Sequence, residues 1–162
     1  MQEIKTAVSR YTYSANGELE SKTTAQGITR YDYGVLGNLQ QAVLPDGRVI
    51  DYITDAKGRR IGKKINGVLV QGRLYNGQLS PVAELDGKGQ IVSRFVYADR
   101  ANIPSYLLRN NKTYRIIADH LGNPRVVMDT ATGEIVQQMN FDEFGRVILD
   151  THPGLQPFGF AG

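Results

Sequence analysis

Polar and apolar side chains alternate one by one in several stretches of the chain. Thr29, Tyr31 and Tyr33 alternate with Arg30 and Asp32, and residues 91–97 show the same period of two. Successive side chains of a β-strand point to opposite faces, so a period of two indicates strands. No stretch carries the three-to-four-residue apolar spacing of a helix. The pattern predicts an all-β fold.

Glycines recur every nine to eleven residues in the first half, at positions 17, 27, 37, 47, 58, 67, 77 and 87. Five of them follow Asn or Asp: Asn16-Gly17, Asp46-Gly47, Asn66-Gly67, Asn76-Gly77 and Asp86-Gly87. Such dipeptides supply the positive φ angles that two-residue hairpin turns require. The spacing therefore predicts consecutive antiparallel β-hairpins that form one curved strip, part of a solenoid or shell.

A longer unit of about twenty residues consists of two strands and two turns. Its tyrosines stand six residues before a turn glycine, at Tyr11, Tyr31 and Tyr52, with Tyr13 and Tyr33 two residues further on. We expect these five tyrosines to pack between neighbouring hairpins with their hydroxyls at a wet edge. The alternative is an aromatic platform that binds glycans or a partner protein.

The second half continues as hairpins with a looser repeat. One hairpin is predicted to turn at Asn110-Asn111, and strands around 126–128 and 135–141 flank a turn that contains Gly133. The last twelve residues, 151–162, hold two prolines and three glycines, which predicts a terminal loop or a segment separated from its partner. We divide the chain into repeat hairpins at 1–90, further hairpins of the same sheet at 91–150, and the tail at 151–162.

Composition excludes several kinds of chemistry. The 162 residues include no cysteine and two histidines, so disulfides, thiolate catalysis and a His/Cys zinc site are not expected. We predict no metal and no cofactor. The chain is long enough to bury a core without such links.

Charge and hydropathy exclude some partners. The formal net charge is +3, and the basic residues cluster only at Lys57, Arg59, Arg60, Lys63 and Lys64. Alternation along a strand divides such a cluster between two faces, which predicts a solvated surface and no nucleic-acid site. No apolar run has the length of a membrane span, and the first residues lack the apolar core of a signal peptide.

Three polar positions invite a catalytic interpretation. Asp142 and Glu143 are adjacent carboxylates, but neighbours in a strand point to opposite faces, so we expect Asp142 to accept backbone hydrogen bonds in a turn. Asp119-His120 has no nucleophile motif near it in the sequence. His152 precedes Pro153 and is assigned to a loop. The chain is therefore predicted not to be an enzyme.

Four motifs resemble those of YD-repeat proteins. Tyr31-Asp32-Tyr33 with its following glycines is similar to the tyrosine-aspartate repeat. DHLGNPRVVMD at 119–129, FDEFGRV at 141–147 and PFGFAG at 157–162 follow in the order of the Rhs repeat-associated core. The residues that carry this second resemblance are Asp119, His120, Gly122, Pro124, Arg125, Phe144, Gly145, Pro157, Phe158 and Gly159.

The resemblance implies a structural function. In that family, which includes bacterial Rhs and wall-associated proteins, insecticidal toxin components and teneurins, the repeats form a β-strip that spirals into a hollow shell, and bacterial shells enclose a C-terminal toxin. We therefore expect a scaffold segment that encapsulates or presents a cargo, in a protein that is secreted or at the cell surface. Expected partners are further copies, a longer Rhs shell protein or a toxin. In Asp119-His120-Leu121-Gly122 the resemblance implies a turn that enters a strand.

This chain departs from the family pattern in length. About fourteen strands at roughly 4.8 Å each give a strip near 70 Å wide, while a 100-residue cargo has a circumference on the order of 100 Å. The chain also stops before the family's autoproteolytic aspartates, so we carry over no catalytic residue. We expect a piece of a container, with a glycan- or receptor-binding module as the alternative and a remnant of a self-cleaving protease as the weakest hypothesis.

Overall fold

The computed structural model describes residues 9–160, and these residues form fourteen β-strands and no helix. The strands follow one another in the sheet in chain order, each antiparallel to the next wherever the register is defined, without a crossover. The all-β prediction is confirmed. The first seven strands are β1 Arg10–Tyr13, β2 Leu19–Thr24, β3 Gly27–Tyr33, β4 Leu39–Val43, β5 Val49–Thr54, β6 Arg60–Ile65 and β7 Val68–Asn76. The other seven are β8 Ser80–Asp86, β9 Ile91–Val96, β10 Tyr106–Arg109, β11 Lys112–Ala118, β12 Pro124–Asp129, β13 Ile135–Phe141 and β14 Val147–Asp150.

The chain divides into two compact units, Met1–Gly72 and Arg73–Gly162. The first unit contains β1 to β6 and the start of β7, and the second contains the rest. This division reflects packing density, whereas the predicted boundaries at residues 90 and 150 reflect sequence repeats. Those repeat boundaries stay a prediction.

Seven turns share one hydrogen-bond pattern. The N–H of the first turn residue donates to the carbonyl of the fifth, and the N–H of a glycine in fourth place donates back to the first, as in Asp119 with Asn123 and Gly122. The fourth-place glycine has a positive φ in each turn, for example +92° at Gly122. A side chain in that region of φ/ψ space is strained, which accounts for Gly17, Gly37, Gly47 and Gly58 in the ten-residue glycine series. These seven turns begin at Ser14, Gly34, Leu44, Asp55, Asp86, Asp119 and Asp142.

The two-residue turn predicted for the Asn-Gly and Asp-Gly dipeptides occurs at only one of them. Asn66 and Gly67 both have positive φ, and Ile65 pairs directly with Val68. Asn110-Asn111 forms the same kind of turn, as predicted. The prediction that Gly87 supplies a positive φ is wrong. Gly87 lies second in the turn that begins at Asp86, and Gly89 has the positive φ.

A β-bulge follows six of the seven turns that share the hydrogen-bond pattern of Asp119, Gly122 and Asn123. In each, the residue six places after the start of the turn has no partner on the preceding strand, so that Ile117 pairs with Val126 while Ala118 pairs with Pro124. The six unpaired residues are Glu20, Gln40, Ile61, Val92, Arg125 and Ile148. A bulge interrupts alternation locally, which explains why Ile91 is exposed although Ser93 and Phe95 are buried.

The hydrophobic core lies in the second unit. Its buried cluster is Phe95, Ile103, Leu107, Tyr114, Ile116, Val127, Leu155 and Phe158. Among the described residues of the first unit, Ala42 is the one fully buried hydrophobic side chain. The second unit therefore has a covered sheet face, whereas the strands of the first unit are half-exposed on both sides.

Candidate functional site

One face of the second unit forms a continuous apolar surface, here called the tail-binding face. Phe95, Leu107 and Tyr114 are cross-strand neighbours on β9, β10 and β11, and Ile116 and Val127 are neighbours on β11 and β12. Cross-strand partners share a face. All five are at most 8% exposed, so something covers them.

The cover is the tail of the same chain. Residues 151–160 contain no strand or helix, as the loop composition indicated, but Leu155 and Phe158 are each 8% exposed and pack in the core cluster. The ring of Phe158 meets that of Phe95 edge to face, with centroids 4.9 Å apart. The tail is therefore not a free terminal loop.

Polar contacts fix the course of the tail. Arg109 at the end of β10 donates from one guanidinium nitrogen to the carbonyls of Gly154 and Leu155, at 3.0 and 2.8 Å. The Gln137 side-chain amide donates to Asp150 and to the carbonyl of His152. Such contacts orient the backbone, while the buried side chains provide most of the favourable free energy.

The last two motifs that resemble the Rhs repeat-associated core contact each other. Phe160 of PFGFAG packs edge to face on Phe141 of FDEFGRV, with centroids 6.0 Å apart. A Cβ on Gly145 would lie 2.8 Å from the Phe160 ring, so a glycine here permits the close approach. Phe144, by contrast, is 86% exposed at the tip of its turn. Phe158, with Pro157 and Gly159 on either side, belongs to the tail that covers the sheet.

The Asp119 motif is a hydrogen-bonded turn. Asp119 Oδ1 accepts the backbone N–H groups of Leu121 and Asn123, and Oδ2 accepts the Asn123 side chain. Burial raises the pKa of Asp119, but these hydrogen bonds outweigh it and the pKa lies below its usual value. His120 is exposed at the turn tip. The geometry is that of a structural cap.

The connection between β9 and β10 folds against this turn. Arg100 donates to the carbonyl of Asp119. The side-chain nitrogen of Asn102 lies 2.6 Å from the position that a Cβ on Gly122 would take, so a larger residue than glycine would collide with it. Pro124 is buried at the start of β12. Arg125 is the bulge residue of that strand, and its charge contributes to the lowered pKa of Asp119.

The carboxylates of the FDEFGRV motif do not form an acid pair. Asp142 Oδ1 accepts the backbone N–H groups of Phe144 and Arg146, at 3.0 and 2.8 Å. Glu143 is exposed at the second position of the turn. The prediction that Asp142 accepts backbone hydrogen bonds is confirmed.

All five repeat tyrosines lie on one face of the first unit. The register pairs Tyr11 with Lys22 and Lys22 with Thr29, and Tyr31 with Ala42 and Ala42 with Ile50. Alternation then adds Tyr13, Tyr33 and Tyr52 to the same face.

The five repeat tyrosines differ in how far they are buried. Tyr11 and Tyr13 are 46% and 60% exposed, so the expected packing between hairpins is wrong for these two. Tyr31, Tyr33 and Tyr52 are half-buried. Arg60 lies 3.8 Å from the ring centroid of Tyr52 and covers that ring.

The basic cluster of the first unit is divided among several contacts. Arg59 forms an ion pair with Asp55 at 2.6 Å. Lys63 pairs with Tyr52 and Lys64 with Asp51 across the sheet, so the two lysines point to opposite faces, as predicted.

Residues 9–160 contain neither a metal-binding cluster nor a helix that could span a membrane. No group of three His, Cys, Asp or Glu side chains in this range is placed to hold a metal ion. No helix of sufficient length and apolarity to cross a membrane occurs in the same range.

A sheet built from successive hairpins that carry the tyrosine-aspartate repeat defines a YD-repeat protein. The model of the teneurin YD-shell family matches residues 2–162. The chain belongs to this family.

A solved structure has the same fold. A crystal structure of TcdB2-TccC3 is similar to 84% of this chain at 14% sequence identity, with a TM-score of 0.51, and the match covers 9% of that chain. A structure of the Photorhabdus luminescens Tc holotoxin pore matches 88% of this chain at 12% identity, with a TM-score of 0.47, and covers 10% of that chain. The chain thus spans about a tenth of the length of these structures. The comparison with curated proteins found no match.

Proposed function

We propose that this chain is a non-catalytic wall segment of a YD-repeat shell that encapsulates or presents a toxin or other cargo. The observation that carries the proposal is the order of the sheet, in which every strand with a defined register pairs with its neighbours in the chain. Such a sheet extends by the addition of hairpins, without a crossover. Membership of the YD-shell family and the fold shared with TcdB2-TccC3 support it.

Enclosure requires more wall than this chain provides. The match covers 9% of the TcdB2-TccC3 chain. We therefore propose that further YD-repeat sequence or further copies of the chain complete the container.

Protease protection tests containment. A protease-sensitive reporter peptide is fused after Gly162, and an identical reporter is placed before Met1 in a matched protein. At concentrations where copies associate, we expect at least tenfold slower cleavage of the C-terminal reporter. Equal cleavage of both reporters at every concentration would contradict containment.

The non-catalytic role has a separate test. Purified protein is incubated for several days, and its intact mass is measured. We expect a single unchanged mass, because Asp119 and Asp142 are hydrogen-bonded within turns. A discrete self-generated fragment would contradict this part of the proposal.

Glycan or receptor binding is the second candidate, favoured by the exposed rings of Tyr11 and Tyr13. A glycan array is screened with the native chain and with a Tyr11→Ser/Tyr13→Ser variant, and a Tyr114→Phe variant serves as the control because Tyr114 is buried. Binding by the native chain and the control, but not by the double variant, would support this function. A uniformly negative array with an intact fold leaves only the wall segment.

A further inference from the structure

The tail-binding face holds an irregular segment of the chain. Residues 156–159 have no secondary structure of their own, and Leu155 and Phe158, three residues apart, insert their side chains into the face. Burial of these two side chains removes apolar surface from water, which stabilises the bound tail. Two anchors at a fixed spacing are a common basis of peptide recognition.

The face also recognises the peptide backbone. Arg109 donates to the two consecutive carbonyls of Gly154 and Leu155, which belong to main chain and not to particular side chains. The Gln156 side chain in turn accepts the N–H of Phe158 at 2.6 Å and so fixes the spacing between the two anchors. Any segment with the sequence Gly-Leu-Gln-Pro-Phe presents the same groups.

The tail leaves part of the face unused. The side-chain oxygens Ser93 Oγ and Gln137 Oε1 are buried and, within residues 9–160, have no hydrogen-bond partner. A cavity of about 150 Å³ remains beside Phe158, and Tyr75, Leu79 and Pro81 line it. The tail therefore covers the face without pairing these two polar atoms or filling this cavity.

One turn directs the tail back onto its own sheet. The N–H of Leu155 donates to the carbonyl of His152 at 3.2 Å across Pro153 and Gly154, and Gly154 has a φ of +85°. Proline second and a positive-φ glycine third are the residues that a type II turn favours. If the turn opens, residues 155–160 project away from their own face.

We propose that the tail-binding face is a peptide-binding groove and that the tail of a second copy of this chain can occupy it in trans. The occupant is a Gly-Leu-Gln-Pro-Phe segment, identical in both copies, so the exchange creates no new contact chemistry. The proposal concerns how copies join. It rests on the packing of the second unit and is independent of the containment of a cargo.

A peptide-binding experiment tests the groove directly. A fluorescent peptide of residues 151–160, THPGLQPFGF, is titrated into the full-length Phe158→Ala variant, whose own tail lacks its aromatic anchor. We expect at least tenfold tighter binding to this variant than to the native chain, whose groove is occupied. A peptide with alanine in place of its phenylalanine at 158 should lose that binding, and a Phe144→Ala chain should behave like the native one.

Two outcomes of the titration overturn the proposal. One is no binding to a Phe158→Ala chain whose circular dichroism matches that of the native chain. The other is equal binding to the variant and to the native chain, since the peptide then occupies a different surface.

A second variant keeps the proposal testable if Phe158→Ala does not fold. Gly154→Val disfavours the turn at 152–155, and we expect a dimer by sedimentation that an excess of the free THPGLQPFGF peptide dissociates. Gly133→Val is the matched control, because Gly133 also has a positive φ and open space around its Cβ position. A native-like monomer for Gly154→Val, or an equal dimer for Gly133→Val, would refute exchange of the tail.

Discussion

At the scale of single residues, four of the seven turns depend on aspartate in the first position. Asp55, Asp86, Asp119 and Asp142 each use one carboxylate oxygen to accept the N–H groups two and four residues later. The carboxylate thus provides an acceptor for two backbone N–H groups within each of these turns. Aspartate thus has the same hydrogen-bonding role in turns of both units.

Asp119→Ala is expected to lower the free energy of unfolding by about 1 to 3 kcal/mol, because it leaves part-buried N–H groups without an acceptor. Urea unfolding followed by circular dichroism measures the change. Glu143→Ala is the control, since this exposed turn residue should alter stability by less than about 0.5 kcal/mol. A neutral Asp119→Ala would show that water satisfies the turn equally well.

Gly145→Ala should destabilise the fold more than Gly133→Ala does. Both glycines have a positive φ, at +81° and +75°, so both substitutions introduce about 1 kcal/mol of backbone strain. Only at Gly145 does the added Cβ meet the ring of Phe160. The difference between the two urea midpoints therefore reports the Phe160 contact, and equal midpoints would indicate that this ring moves freely.

At the scale of elements, the tail completes the core although it forms no strand. It contributes two buried anchors, and the cross-strand rows beneath it are at most 8% exposed. Together with Ile103 from the connection between β9 and β10, it forms the part of the core that lies outside the strands.

Phe158→Ala is expected to lower the free energy of unfolding by about 3 to 5 kcal/mol, the usual range for a buried phenylalanine. Phe144→Ala is a matched control in the same protein, because Phe144 is 86% exposed. Thermal and urea denaturation of the two variants give the comparison. A similar loss for both would contradict the burial of the tail.

Strands and turns were predictable because each depends on local residues. Alternation at residues 29–33 and the hairpin at Asn110-Asn111 are set within a few positions. The docking of the tail was not predicted, since the contact of Phe158 with Phe95 joins residues far apart in sequence and leaves no period. The available signal was the presence of Leu155, Phe158 and Phe160 in a segment otherwise composed of loop residues.

The tyrosines show the same limit at the candidate site. Their common face follows from the period of two, and the register places all five there. Their exposure depends on neighbours on other strands. Tyr31 faces the small side chain of Ala42, whereas Tyr11 lies on the first strand of the sheet order and remains 46% exposed.

At the scale of the whole molecule, carboxylates couple stability to pH. Hydrogen bonds from Arg59, Arg115 and Lys112 lower the pKa values of Asp55, Asp99 and Asp129, respectively. The backbone and side chain of Arg48 lower that of Asp46, and the Asp119 turn lowers that of Asp119. Because these five carboxyl groups lie in both units, acid should lower the free energy of unfolding of both units.

The expected direction follows from proton linkage. A carboxyl whose folded pKa is below the unfolded value of 3.8 contributes stability above that value and loses it as pH falls through the folded pKa. Urea midpoints should therefore be flat between pH 7 and 5 and fall below about pH 4. Asp119→Asn should show a shallower decline than the native chain, and a constant midpoint down to pH 3 would contradict the coupling.

The position of the tail in the chain also sets a sequence of events during synthesis. Ribosomes add about 5 to 20 residues per second, and domains begin to fold from their N-terminal side. Phe95 and Leu107 emerge long before Phe158, which covers them. For several seconds the nascent chain therefore presents a nearly complete apolar sheet face to the cytosol or to a chaperone. Slowing translation just before residue 151 should raise aggregation more than an equal pause near residue 70, where the strands bury little.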